Sequence, residues 1–155
     1  MPWSRCIGST TKPTTVLYDS GTFESPFDNP GSYTQSGSTV VAATLQTSSI
    51  AILSVDSNVT VIGTTSSVNL TNFTTIKVAA YRLDASTNRH VQLEVRTSKD
   101  LTLSVVKYVR IVPSATLTVY EIDVSDLSGN YYLVFRTTAG SSDKMTVHIN
   151  KLWLE

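Results

Sequence analysis

Cysteine occurs once, at Cys6, which excludes an intrachain disulfide and a zinc site built on several cysteines. Charge is thin: 15% of the 155 residues are charged, against about 25% in ordinary globular proteins. Twelve Lys and Arg balance twelve Asp and Glu, leaving no net charge to drive binding to nucleic acid or an anionic membrane by bulk electrostatics. Long apolar runs are missing too. The longest candidate, 50–55, is six residues and contains Ser54, far short of the roughly 18 a membrane helix needs. The seven glycines never cluster, so no phosphate cradle is present. The opening residues Met1 to Gly8 lack the basic start, apolar run and cleavage site of a secretory signal. The expectation is a chain made in a cytoplasm and retained there or released by lysis.

Hydroxyls stand where the charge is missing: 44 residues are Ser or Thr. Three Asn-x-Thr sequons, at Asn58, Asn69 and Asn72, are about what such a composition yields by chance. Residues 1–14 have no period and carry Pro2 and Pro13. They read as an extended arm, with Trp3, Arg5 and Ile7 as its assembly contacts. From Thr15 the chain is a series of β signals at short spacing, rich in Val, Ile, Thr and Tyr. Segments 15–18, 39–45, 49–55, 58–62, 75–83, 90–97, 101–111, 116–124, 131–137 and 145–154 read as strands, and 23–38 as a long loop. In 90–97, Val91, Leu93 and Val95 point one way and Gln92, Glu94 and Arg96 the other. Helical spacing is absent beyond single turns near 70–73 and 125–127. The fold class is all-β, a β-sandwich of jelly-roll type with about nine strands, as one domain over 15–155.

Two segments carry a family likeness. Val68 to Val78 sets a Leu70–Phe73 pair ahead of a strand; Tyr120 to Phe135 joins two strands through Ser128-Gly129-Asn130 and then Tyr131-Tyr132. Together they resemble jelly-roll domains of the galactose-binding-like and carbohydrate-binding-module type. The terminal stretch Val147 to Glu155 is similar to the last strand of structural domains in bacteriophages of Gram-positive gut bacteria. This resemblance implies a virion protein, in head decoration, tail or baseplate, whose partners are other virion proteins or copies of itself. It implies made-in-host-cytoplasm, virion-located material. The alternative it implies is a module binding host surface glycan.

The chemistry-bearing residues give no catalytic set. Cys6 has only His90 and His148 as candidate bases, and no Gly-x-Ser-x-Gly elbow occurs. Asp123 and Asp126, with Glu121 nearby, are close carboxylates, but they read as a turn capping its own amides. No cofactor is expected; a structural calcium would draw on Asp19, Asp28, Asp123 and Asp126. For a glycan, the candidates are Phe27 and Tyr33 in the long loop and Tyr81, Arg82, Asn88 and Arg89 on a hairpin. Trp153 reads as core or interface. Lys107, Arg110 and Arg136 interleave with Tyr108 and Phe135 like a nucleic-acid surface, a reading the balanced net charge disfavours.

Overall fold

Alternation of apolar and polar side chains lets a strand bury one face and wet the other, and two such sheets bury each other's apolar faces. The computed structural model describes residues 14–27, 33–54, 58–82, 91–112, 114–137 and 145–155. No helix occurs among them. Thirteen strands form: β1 (Thr15–Asp19), β2 (Thr22–Phe23), β3 (Val40–Ala42), β4 (Thr44–Leu45), β5 (Ile50–Ser54), β6 (Val59–Gly63), β7 (Val68–Asn69), β8 (Thr75–Arg82), β9 (Val91–Arg96), β10 (Lys107–Ile111), β11 (Ser114–Asp123), β12 (Asn130–Thr137) and β13 (Met145–Leu154). The arm residues Trp3, Arg5 and Ile7 lie outside the described residues.

One sheet runs β11-β8-β13-β1-β2, with β5 and β4 extending from the other half of β13. Ten-residue β13 is its spine: β8 pairs along one edge, while β5 takes 145–149 and β1 takes 151–154 on the other. The second sheet runs β10-β9-β12-β6-β3, with β7 on the start of β12. Leu93, Val95, Leu133 and Phe135 from this sheet meet Val78, Ala80, Ile149 and Leu152 from the other in one core. Aromatics fill the core beside β1: Phe27 stacks on Phe23 at 5.8 Å and meets Phe135 edge-on at 6.1 Å.

The two segments of the likeness come together. Asn69 and Val68 pair with Asn130 and Tyr131, and the Leu70 N–H donates to the Gly129 carbonyl at 2.8 Å. Gly129 has φ +95°, which a side chain rarely adopts. Tyr131 packs on the core and Tyr132 lies on the outer face. The single helical turns expected near 70–73 and 125–127 are hydrogen-bonded turns, Phe73 N–H to Leu70 and Leu127 N–H to Val124.

Two strand expectations are corrected. Segment 39–45 is not one strand: β3 lies parallel to β6 in one sheet, and β4 pairs β5 in the other. Segment 101–111 is strand only from Lys107. Its first residues form a loop because buried Arg96 takes the carbonyls of Asp100, Leu101 and Leu103, which a ladder would otherwise use.

Gly63 tests the packing. A Cβ there would sit 2.5 Å from the Tyr33 hydroxyl and 2.6 Å from the Leu133 carbonyl oxygen. Gly63→Ala is expected to cost about 1–3 kcal/mol, the usual penalty for overpacking. Urea titration of both proteins measures it, and an unchanged midpoint would contradict this packing.

Candidate functional site

Strand β9 is buried on both faces, which its alternation alone does not foretell. Val91, Leu93 and Val95 face the core. Gln92, Glu94 and Arg96 face outward, yet two loops return over them and leave them 8%, 0% and 2% exposed. A carboxylate this far from water needs cations and donors, since an unpaired buried charge costs several kcal/mol. Arg96 Nε donates to Glu94 Oε2 at 2.6 Å. Arg136 Nε lies 3.3 Å from Glu94 Oε1, an ion pair whose N–H is not aimed at the oxygen.

The same arginines fasten the loops. Arg96 Nη1 donates to the Leu103 carbonyl at 2.9 Å, and Arg136 Nη1 to the Leu101 carbonyl at 3.2 Å and Gln35 Oε1 at 3.5 Å. The loops also bond each other, Leu101 N–H to Thr34 C=O at 2.7 Å and Thr34 N–H to Lys99 C=O at 3.1 Å. Leu101 and Tyr33 pack with Val59, Val61 and Val134 in a small second core on this outer face. Burial pushes the Tyr33 phenol up to about 12. Asp100 accepts the N–H and hydroxyl of Thr102, which holds its carboxyl below the usual range.

Strand register sets a row across this face. Arg110 on β10 and Arg136 on β12 both stand opposite Gln92, so their backbones are two strand spacings, roughly 10 Å, apart. The next row holds Tyr108 opposite Glu94. With its amide nitrogen toward Glu94 Oε1 (2.8 Å), Gln92 turns its oxygen to Arg110 Nε at 3.3 Å; the reverse would set like against like. Arg110 is thus tied back through Nε, and among the described residues its two Nη groups have no hydrogen-bond partner. Its guanidinium lies 5.8 Å from the Tyr108 ring, which is 52% exposed. Lys99 adds a cation 5.5 Å from the Tyr132 ring. An arginine fork held from behind, with its free edge outward beside an exposed ring, is suited to a carboxylate or phosphate attached to something flat.

The glycan residues expected from sequence are not this site. Phe27 is fully buried in the aromatic core and offers no ring face to a ligand. Arg82 is 1% exposed, and Tyr33 spends its hydroxyl on the Thr64 carbonyl at 3.0 Å. Tyr81 is half-buried on the opposite outer face, stacked on His148 at 4.6 Å; Asn88 and Arg89 lie outside the described residues. Arg110, Arg136 and Tyr108 were visible as an interleaved basic and aromatic set, but their convergence on Gln92 needs the strand register. Lys107 and Phe135 belong elsewhere: Lys107 pairs with Asp126, and Phe135 is core.

Among the described residues no three His, Cys, Asp or Glu side chains gather as a metal site. The carboxylates considered for calcium have other partners. Asp19 meets Lys151 at 2.9 Å, Asp126 meets Lys107, and Asp123 caps Ser125 with a 2.9 Å bond from its N–H. Asp28 lies outside the described residues. Trp153 is half-buried, and its Nε1 donates to Glu155 Oε1 at 2.8 Å.

Two measurements probe the network. Glu94→Gln strips the charge that compensates two arginines and is expected to cost about 3–5 kcal/mol in chemical denaturation; a loss under about 1 kcal/mol would mean water compensates them. An unfolded tyrosine ionises near 10, whereas folded Tyr33 keeps its proton to about 12. Its contribution is therefore intact below pH 10 and is lost as pH rises through about 12. Tyr33→Phe should move the alkaline unfolding transition upward.

No family model matches the chain, and no curated protein does. Among solved structures it is similar to the glycoside hydrolase domain of Endo-D from Streptococcus pneumoniae R6, with 16% identity and a TM-score of 0.49. The match covers 73% of this chain and 18% of that one, so the chain spans less than a fifth of that structure.

Proposed function

We propose that this domain is a non-enzymatic recognition module that binds an acidic saccharide on the outer face of its six-stranded sheet. The observation that carries this reading is the Arg110 fork, tied back by Gln92 and open at both Nη groups beside the exposed Tyr108 ring. A carboxylate or phosphate accepts two parallel N–H bonds from such a fork, while a sugar's C–H face lies on an aromatic ring. Glu94, Arg96 and Arg136 hold Gln92 and the loops so that Arg110 is presented without rearrangement. Preorganisation of this kind raises affinity by sparing side-chain ordering.

A second reading, a structural component of a phage particle, is favoured by a different observation. Six of the seven exposed large apolar side chains among the described residues fall between Leu103 and Val119. Exposed apolar side chains concentrated on one stretch of chain suit contact with another protein. The readings are compatible, because particle proteins can also bind glycan.

Calorimetric titration with tri-galacturonate and its methyl ester tests the first reading, supported by an array of sialylated and phosphorylated saccharides. The acid should bind and the ester should not, with affinity falling as salt is raised. Arg110→Gln and Tyr108→Ala, both at exposed positions, should each weaken binding at least about tenfold with the unfolding midpoint unchanged. Equal binding of acid and ester, or an array on which no acidic saccharide binds, would overturn it.

A further inference from the structure

We infer that β11 pairs antiparallel with β11 of a second copy of this chain, about a two-fold axis at Thr118. This rests on the strand edge and is independent of the arginine row. Strand β11 ends its sheet: β8 pairs along one edge, and among the described residues no strand pairs along the other. Edges of this kind are ordinarily blunted by charge or proline. Residues 114–120, Ser-Ala-Thr-Leu-Thr-Val-Tyr, contain neither.

The ladder fixes which groups are free. The Val124 N–H donates to the Thr74 carbonyl at 2.9 Å, continuing the register in which Ile122, Tyr120 and Thr118 stand opposite Ile76, Val78 and Ala80. Counting back by twos, those residues bond to β8, and Val119, Glu121 and Asp123 turn their N–H and C=O to the open side. From Leu117 exposure alternates in the same phase, with Leu117, Val119 and Glu121 exposed and Thr118 and Tyr120 half-buried, while Ala115 and Thr116 are both exposed. Opposite β8 the strand is irregular between Ser114 and Thr118, and there the Ser114 and Thr118 hydroxyls donate to the Thr116 carbonyl at 2.9 and 3.0 Å. The groups β8 leaves are therefore satisfied within β11, and the outward ones are not needed for it.

A second copy matches this edge in one register. An axis at Thr118 sets Leu117 opposite Val119 twice and Glu121 opposite Ala115 twice, so apolar meets apolar and no two acids face each other. An axis at Val119 sets Leu117 against Glu121. An axis at Tyr120 sets Val119 against Glu121 and Leu117 against Asp123. Axes between residues would pair outward groups with groups already bonded to β8. Cross-strand pairing of this kind, repeated symmetrically, is the isologous interface of a two-fold dimer.

The test uses the whole chain. Light scattering at micromolar concentration should give a dimer. Leu117→Lys and Val119→Glu should each raise the dimer dissociation constant at least about tenfold. The double variant Leu117→Lys/Val119→Glu should recover the dimer, because each lysine then meets a glutamate; a merely misfolded single variant would not be rescued. In a Cys6→Ser background, Thr118→Cys should form an interchain disulfide on oxidation, since a non-hydrogen-bonded pair sets Cα atoms about 4.5 Å apart. Glu121→Cys should not. A monomeric wild type at 100-fold higher concentration, whether or not another protein is captured on this edge, would overturn the proposal, as would single variants that stay dimeric.

Discussion

A carboxylate with 1% of its side chain exposed sits on the outside of a sheet, and much of that face is arranged around it. Glu94 belongs to the polar phase of β9, where water would ordinarily solvate it. Covering it imposes an order on its surroundings. Two arginines must neutralise it, and their remaining N–H groups must find acceptors, which the loop at 97–106 supplies from its carbonyls and the loop at 33–38 from the Gln35 side chain. The loops are held down by the same charges they conceal. A buried ion pair of this kind adds little net stability compared with apolar packing, but removing one partner is costly. Its physical effect is to fix geometry, and the geometry it fixes is the Gln92–Arg110 bond.

The fold class was legible because it depends on local pattern. Period-two alternation in 90–97 and 145–150, turn residues at short spacing and the lack of helical spacing suffice for a sandwich. The Ser128-Gly129-Asn130 corner followed, with Gly129 at a positive φ. What failed was non-local. Leu101, Leu103 and Val105 alternate as a strand should, yet the guanidinium groups of Arg96 and Arg136 compete for the carbonyls of Leu101 and Leu103 and win. Segment 39–45 carries uniform β propensity, so nothing within it marks the point near Ala43 where the chain leaves one sheet for the other. Propensity describes a residue's fit to a pleated surface and is silent on which surface.

The site was the least legible part for the same reason. Phe27 and Tyr33 drew attention as aromatics in a polar loop, but loops returning to a core bury their largest apolar groups first, and both are buried. Arg82 ends β8 in the interior, with its neighbour Tyr81 on the outer face, because strand parity and not residue type decides exposure. Arg110 and Arg136 stand 26 positions apart in the chain, and only register on either side of β9 makes them neighbours across Gln92. The local signal that pointed to them was the interleaving of Lys107, Arg110 and Arg136 with Tyr108 and Phe135. Net charge near zero hid it, since a balanced total does not describe how charge is distributed over faces.

The two surfaces do not compete for the same residues. The arginine row lies on the outer face of the six-stranded sheet, while Leu117 and Val119 lie on the edge strand of the other. In an antiparallel pair of strands the local two-fold axis is perpendicular to the sheet, so paired copies turn the same faces to the same side. Each dimer would then offer two arginine rows in one direction. A saccharide site held by a single fork and one ring is weak taken singly, because each charge-assisted bond contributes about 1.5–3 kcal/mol before binding costs. Two sites facing one polymer convert the second binding event into an intramolecular one, raising avidity by roughly 10²–10⁴ without a new contact. A shallow site on an open sheet face and a strand edge without charge over 114–120 are each unremarkable alone; joined by that axis, the edge supplies what the site lacks.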